Sequence, residues 1–73
     1  MPSTDRDLML LGQQIRKLRI ERGISQEALA EAAQLHRNMI GLLERGRRWP
    51  SLPTLLRICR VLEIRPRQLF WNL

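Results

Sequence analysis

The sequence predicts an all-α fold: a compact domain of five helices. Apolar residues recur three and four positions apart in several segments, which is the spacing of an amphipathic helix. Glycine or proline stands between these segments and marks their ends. No stretch alternates apolar and polar β-branched residues, so no strand is expected. With 73 residues, the chain predicts one domain over residues 8–73, after a flexible tail over residues 1–7.

The first two helices are predicted from apolar stripes and caps. The first runs from about Asp7 to Arg22, because Gly23 favours a helix end. Ser25 is a good N-cap for a second helix over residues 26–34, whose four alanines make it slim. The buried stripe of the first helix is predicted to contain Leu8, Leu11, Ile15, Leu18 and Ile20.

Three more helices are predicted in the second half. The third runs from His36, its N-cap, to Arg45, before Gly46. Ser51 caps the fourth, with Pro53 in its first turn, where proline is tolerated. The inner face of the fourth helix is predicted to contain Leu52, Leu55, Ile58, Cys59 and Leu62. A last helix over residues 66–71 would seal the core with Leu69 and Phe70.

The charge distribution indicates a polyanionic partner. Residues 1–36 hold five bases and five acids, whereas residues 37–73 hold eight arginines and two glutamates and so carry the whole net charge of +6. Arginine suits forked contacts with phosphate and guanine. A localised arginine excess therefore favours nucleic acid over a solubilising surface, which usually mixes both signs.

Composition also excludes several classes. A single cysteine, Cys59, rules out an internal disulfide and favours a cytoplasmic protein. No apolar run approaches the roughly 20 residues of a membrane span, and the acidic N-terminus does not resemble a secretory signal. With one histidine, no tyrosine and no metal-ligand spacing, we expect no enzyme activity, metal, cofactor or small-molecule ligand.

The second and third helices have the pattern of two short helices joined by a tight turn. Ala30 would let them cross closely, and Ile40 would fill the gap between them. Around them, LGQQIRKLRIERGISQEALAEAA, LLERG and PSLPTLLRICRVLEI resemble the helix-turn-helix family of lambda-type phage repressors and Cro. The match covers about residues 11–70. Within that family, the small controller proteins of restriction–modification systems are similar in size, and LHRNMIGLLERG looks like their third helix.

This resemblance implies which residues read DNA bases. In the family, the third helix lies in the major groove and its first residues touch base edges. Arg37 and Asn38 take those places, and their side chains can fork onto guanine and adenine. Leu42 stands where relatives often carry a polar reader, so it would either meet a thymine methyl or pack at the core edge. Met39 is expected to belong to the core.

The resemblance also implies phosphate contacts and an ion pair. Gln26 matches a phosphate-binding glutamine, and backbone N–H groups at a helix start attract the same anion. The family pairs an arginine of the first helix with a glutamate of the third, which predicts a partly buried pair between Arg19 and Glu44. The residues expected at DNA phosphates are Ser25, Gln26, His36, Arg45, Arg47 and Arg48.

Gln34 and Gly41 are among the residues that depart from the family pattern. Gln34 replaces the usual turn glycine at a left-handed position, which should cost on the order of 1 kcal/mol. Gly41 lies inside the third helix, on its predicted outer side.

The resemblance and the apolar C-terminus together imply a two-fold dimer built from helices four and five, where the family commonly dimerises, with Leu69, Trp71 and Leu73 in the interface. The alternative is that Trp71 only covers the core edge. Trp49 either packs on its loop or lies near the DNA backbone.

Together these features predict a sequence-specific, double-stranded DNA-binding transcriptional regulator of the repressor or controller type. It would act in the bacterial cytoplasm as a homodimer on a near-palindromic operator, with half-sites about 34 Å apart. The alternative is an antitoxin-type protein-interaction module in which DNA binding is secondary.

Overall fold

The computed structural model describes residues 4–73, which form five helices and, over that range, no strand. The predicted all-α fold is confirmed. The first helix packs against the third and fifth, the second against the third and fourth, and the fourth against the fifth. The helices are α1 (Thr4–Glu21), α2 (Gln26–Ala32), α3 (Met39–Glu44), α4 (Leu52–Leu62) and α5 (Pro66–Phe70).

One hydrophobic core joins all five helices. Its largest fully buried side chains are leucines and isoleucines, each of which stabilises the fold by about 1.5–3 kcal/mol relative to an exposed position. Ala30 and Ile40 are both buried where α2 meets α3, as predicted. The fully buried set comprises Leu11, Ile15, Leu29, Ile40, Leu43, Ile58, Leu62 and Leu69.

The first helix begins earlier than predicted. Residues 4–7, which the sequence predicted as tail, form its first turn, and the rest of that predicted tail lies outside the described residues. Asp5 and Asp7 stand in this turn, where carboxylates interact favourably with the helix dipole. Ile20 was wrongly assigned to the buried stripe: it is exposed, because two residues beyond Leu18 the helix has turned by about 200°.

The turn between α2 and α3 has the predicted left-handed residue. Gln34 has φ of 59°, and the next backbone N–H, that of Leu35, donates to the carbonyl of Ala30 at 2.8 Å. This conformation ends α2 at Ala32, two residues earlier than predicted. Ser25 caps the helix as expected, since its Oγ accepts the Ala28 N–H at 3.0 Å.

The third helix is shorter than predicted. It begins at Met39, with Asn38 as N-cap, so the prediction of His36 as N-cap is wrong. His36 instead caps the turn before the helix, because its Nδ1 accepts the backbone N–H of Asn38 at 3.1 Å. Gly41, predicted on the outer side, is buried beneath neighbouring side chains.

The fourth helix has the predicted caps, with one error on its inner face. The Oγ of Ser51 accepts the Thr54 N–H at 3.2 Å, and Pro53 lies in the first turn. Leu52, however, is 67% exposed. Helical spacing predicts the direction of a side chain but not how far the core extends along the helix. Because Leu52 is the first residue of α4, it lies beyond the end of the core.

The last helix ends at Phe70 and places only one of its two predicted core residues inside. Leu69 is fully buried, whereas Phe70 is 41% exposed, because neighbouring residues on a helix point about 100° apart. The prediction of Leu69 as a dimer contact is therefore wrong, since it offers no surface to a partner. The backbone N–H of Arg65 donates to Oε1 of Gln68 at 2.8 Å and so caps the start of α5.

Candidate nucleic-acid interface

The expected base readers lie together in a shallow cleft between α2 and α3. Arg37 and Asn38 are exposed at its edge, in the turn that precedes α3, and Leu42 is half-buried on α3 itself. The cleft has a volume of about 290 Å³ and is lined by Gln26, Glu27, Arg37, Asn38, Gly41, Leu42 and Arg45.

A buried network of polar side chains holds α2 and α3, the two helices that form this cleft, in place. The Arg19 guanidinium donates to the Glu44 carboxylate twice, from Nε to Oε2 at 2.6 Å and from Nη2 to Oε1 at 3.1 Å. Its Nη1 also donates to the backbone carbonyl of Ile24 at 2.8 Å. These hydrogen bonds with Glu44 raise the pKa of Arg19 above its ordinary value. The ion pair that the sequence predicted is thus present in the structure.

Gln26 belongs to the same network. Its Nε2 donates to Oε1 of Glu44 at 3.0 Å, so the start of α2 is tied to the end of α3. Sequence reasoning assigned Gln26 only to phosphate binding and missed this bond. The bond uses one N–H of the side-chain amide, and the second N–H remains to donate elsewhere.

Gly12 allows α1 to approach the end of α3 very closely. A Cβ at this position would collide with the carbonyl oxygen of Leu43 and lie 2.8 Å from that of Glu44. The available signal was a glycine inside a strongly helical stretch, which indicates a packing or functional reason. The close contact at Gly12 was not predicted.

The loop after α3 carries the arginines expected at phosphates. Arg47 and Arg48 are exposed, and the backbone N–H of Arg47 donates to the carbonyl of Leu42 at 2.9 Å, which fixes the loop against α3. Met39 packs against the core, as predicted. Trp49 is 45% exposed and borders a cavity of about 290 Å³ that Met39 and Thr54 also line.

Comparison with known proteins shows which family has this arrangement of helices. A family model described as "Helix-turn-helix" matches residues 15–69, which include the whole α2–turn–α3 unit. The chain belongs to this helix-turn-helix family. The family consists of DNA-binding transcriptional regulators rather than enzymes, and the resemblance predicted from the sequence is confirmed.

Several relatives of this helix-turn-helix protein are controller proteins. Control protein C.BamHI of Bacillus amyloliquefaciens is 39% identical over 62 residues, which span 84% of this chain and 76% of that protein. Control protein C.SmaI of Serratia marcescens is 38% identical over 67 residues, or 86% and 80% of the two chains. The restriction-modification controller protein C.AhdI from Aeromonas hydrophila, whose crystal structure is known, is 45% identical in sequence to this chain. The two structures superpose with a TM-score of 0.86, and the match covers 89% of this chain and 98% of that one.

The apolar residues expected at a dimer interface divide between core and surface. Trp71 is 74% exposed and Leu73 is also exposed, whereas Leu69 lies in the core. Trp71 also borders an open groove between α1 and α5, together with Lys17 and Arg67. The Gln14 side chain bridges these two helices, because its Nε2 donates to the carbonyl of Gln68 at 2.8 Å.

The described residues also bear on metal binding, thiol chemistry and membrane insertion. Within residues 4–73, no group of three or more histidine, cysteine or acidic side chains could hold a metal ion. Cys59 is buried, and its burial raises the pKa of the thiol, which disfavours the reactive thiolate. Over the same range, no helix is long and apolar enough to cross a membrane.

Proposed function

We propose that the chain is a sequence-specific transcriptional regulator that binds double-stranded DNA as a homodimer. The observation that carries this proposal is the grouping of Arg37, Asn38 and Leu42 beside the α2–α3 cleft of a helix-turn-helix domain. An arginine and an asparagine at this site can make forked hydrogen bonds to guanine and adenine, and a leucine suits a thymine methyl. These three side chains would read bases in the major groove.

The phosphate contacts would come from both sides of this reading surface. Gln26 is held in position by Glu44, and Ser25 and His36 are exposed near the starts of α2 and α3. Arg47 and Arg48 lie on the loop that follows α3. Contacts of this kind orient a protein on the duplex without reading sequence, and the charge of +6 would make its affinity fall steeply with salt.

A dimer would bring two reading surfaces onto one operator. Trp71 and Leu73 are exposed apolar residues at and beyond the end of α5, and we assign them to a two-fold interface. Two-fold symmetry implies a near-palindromic operator with half-sites roughly one helical turn, or about 34 Å, apart. Since the relatives are proteins of bacteria and their phages, this operator would lie on DNA in the bacterial cytoplasm.

Selection of binding sites from random double-stranded DNA tests this proposal. The purified protein should enrich a two-fold symmetric sequence. Enrichment of a single unpaired half-site would support base reading and contradict the dimer. An absence of any enrichment would contradict sequence-specific binding and direct attention to a protein partner, as in an antitoxin-type module.

A further inference from the structure

The guanidinium of Arg45 lies back along α3, over Gly41. A Cβ built on Gly41 would be 3.0 Å from Nη1 of Arg45 and 3.8 Å from its Cζ. Residues four positions apart share one face of a helix, and helical side chains point toward the N-terminus. Because Gly41 has no side chain, the guanidinium can rest against the backbone of α3.

This location belongs to the reading surface rather than to the loop behind it. Arg45 lines the same α2–α3 cleft as Arg37 and Leu42. The Oε1 of Gln26 lies 3.5 Å from the Cβ built on Gly41. A hydrogen-bond acceptor therefore lies beside the guanidinium. Gln26 is itself held by Glu44 at 3.0 Å, so this side of the cleft is fixed by the buried network.

We propose that Arg45 is a further base-reading residue and that Gly41 positions it. This proposal rests on the proposed function. Arg45 would fork onto the O6 and N7 of a guanine instead of binding a phosphate. Its guanidinium lies over Gly41 within α3, whereas Arg37 lies in the turn before this helix. Because the two arginines stand at different points along the reading surface, they would read different base pairs.

The test uses the operator selected by the wild-type protein. Affinities are measured for that operator and for duplexes in which each base pair is changed in turn, with the variants Arg45→Ala, Gly41→Ala and the double variant. Arg60→Ala, which removes an exposed arginine from α4, is the matched control for lost charge. Arg45→Ala should reduce discrimination about 5- to 150-fold at one G·C pair of each half-site, and this pair should differ from the one that Arg37 reads.

Gly41→Ala should reduce discrimination at the same base pair, because its methyl group displaces the guanidinium. It should have no further effect in the Arg45→Ala background. The melting temperature of the Gly41→Ala variant should be unchanged or higher. Alanine is the better helix former, and the displaced atoms lie at the end of the flexible Arg45 side chain. This thermal measurement separates displacement of Arg45 from loss of the fold.

Two results would overturn this inference and leave the proposed function standing. An equal loss on all sequences for Arg45→Ala would identify a phosphate contact, and independent effects of the two substitutions would remove the positioning role of Gly41. A wild-type protein without sequence preference would overturn the proposed function and this inference together.

Discussion

Arg19 on α1 and Glu44 at the end of α3 form a doubly hydrogen-bonded ion pair, with contacts of 2.6 and 3.1 Å. The exposed fraction of these side chains is 11% for Arg19 and 2% for Glu44. Gln26 donates to the same carboxylate. One buried acid therefore fixes the positions of α1, α2 and α3 relative to each other, and with them the surface proposed to meet DNA.

Removing the charge of this acid should destabilise the fold strongly. Glu44→Gln should lower the free energy of unfolding by about 3–5 kcal/mol, because the buried Arg19 charge loses its partner. Glu63→Gln is the matched control, since it removes an exposed partner 3.4 Å from Arg22 and should cost less than about 1 kcal/mol. Urea denaturation measures both values, and similar losses for the two variants would contradict a structural role of the buried pair.

A methyl group at Gly12 should destabilise the packing of α1 on α3. The added carbon would collide with the Leu43 carbonyl, and a backbone carbonyl cannot move aside as a flexible side chain can. Gly12→Ala should therefore cost about 1–3 kcal/mol in urea denaturation, although alanine favours helix. Gln13→Ala, at an exposed neighbouring position, should change stability by less than about 0.5 kcal/mol. A stabilised Gly12→Ala variant would show that α1 and α3 can separate at little cost.

Arg47 should act on DNA affinity without affecting base preference. In a dimer, Arg47→Ala removes two phosphate contacts, so the slope of log affinity against log salt should become shallower by about 2. Affinity for operator and for unrelated duplex should fall by the same factor. Fluorescence anisotropy over a salt series measures both quantities, and a loss confined to the operator would instead make Arg47 a reader.

Trp71 should be a main contact of the proposed dimer. Its side chain is 74% exposed in the single chain, and exposed tryptophans at interfaces commonly contribute about 2 kcal/mol or more. Trp71→Ala should therefore raise the dimer dissociation constant about 30-fold or more in sedimentation equilibrium. Ile20→Ala removes an exposed apolar side chain from α1 and should leave the constant unchanged. A monomeric wild-type protein, or two variants that dimerise alike, would contradict this interface.

Several features were predicted because local chemistry or the family's spacing decides them. Ser25 and Ser51 cap their helices because short hydroxyl side chains satisfy N–H groups at a helix start. The left-handed turn was placed at Gln34 through the family spacing, and the structure has it there. The Arg19–Glu44 pair was likewise implied by family positions, because two charges 25 residues apart give no local signal.

Several other features were not predicted, most of them because tertiary packing decides them. Both Leu69 and Phe70 were expected in the core, but Phe70 is 41% exposed, because the packing of α5 on α1 and α4 covers only part of the helix. The close approach at Gly12 depends on how α3 crosses α1. A glycine inside a helix can signal close packing, but it does not show which element approaches. Arg45 was expected only at a DNA phosphate, and its position over Gly41, four residues earlier on α3, was not predicted.

The most direct test of the central claim compares Arg37→Ala with the wild-type protein on two duplexes, the selected operator and a scrambled sequence of the same length. Arg37 is exposed beside the α2–α3 cleft, and we predict that its loss relaxes the preference at one base pair of each half-site. Affinity for the operator should then fall about 5-fold or more beyond any loss on the scrambled duplex. Equal losses on both duplexes would contradict base reading by this surface and leave it as a binder of the phosphate backbone.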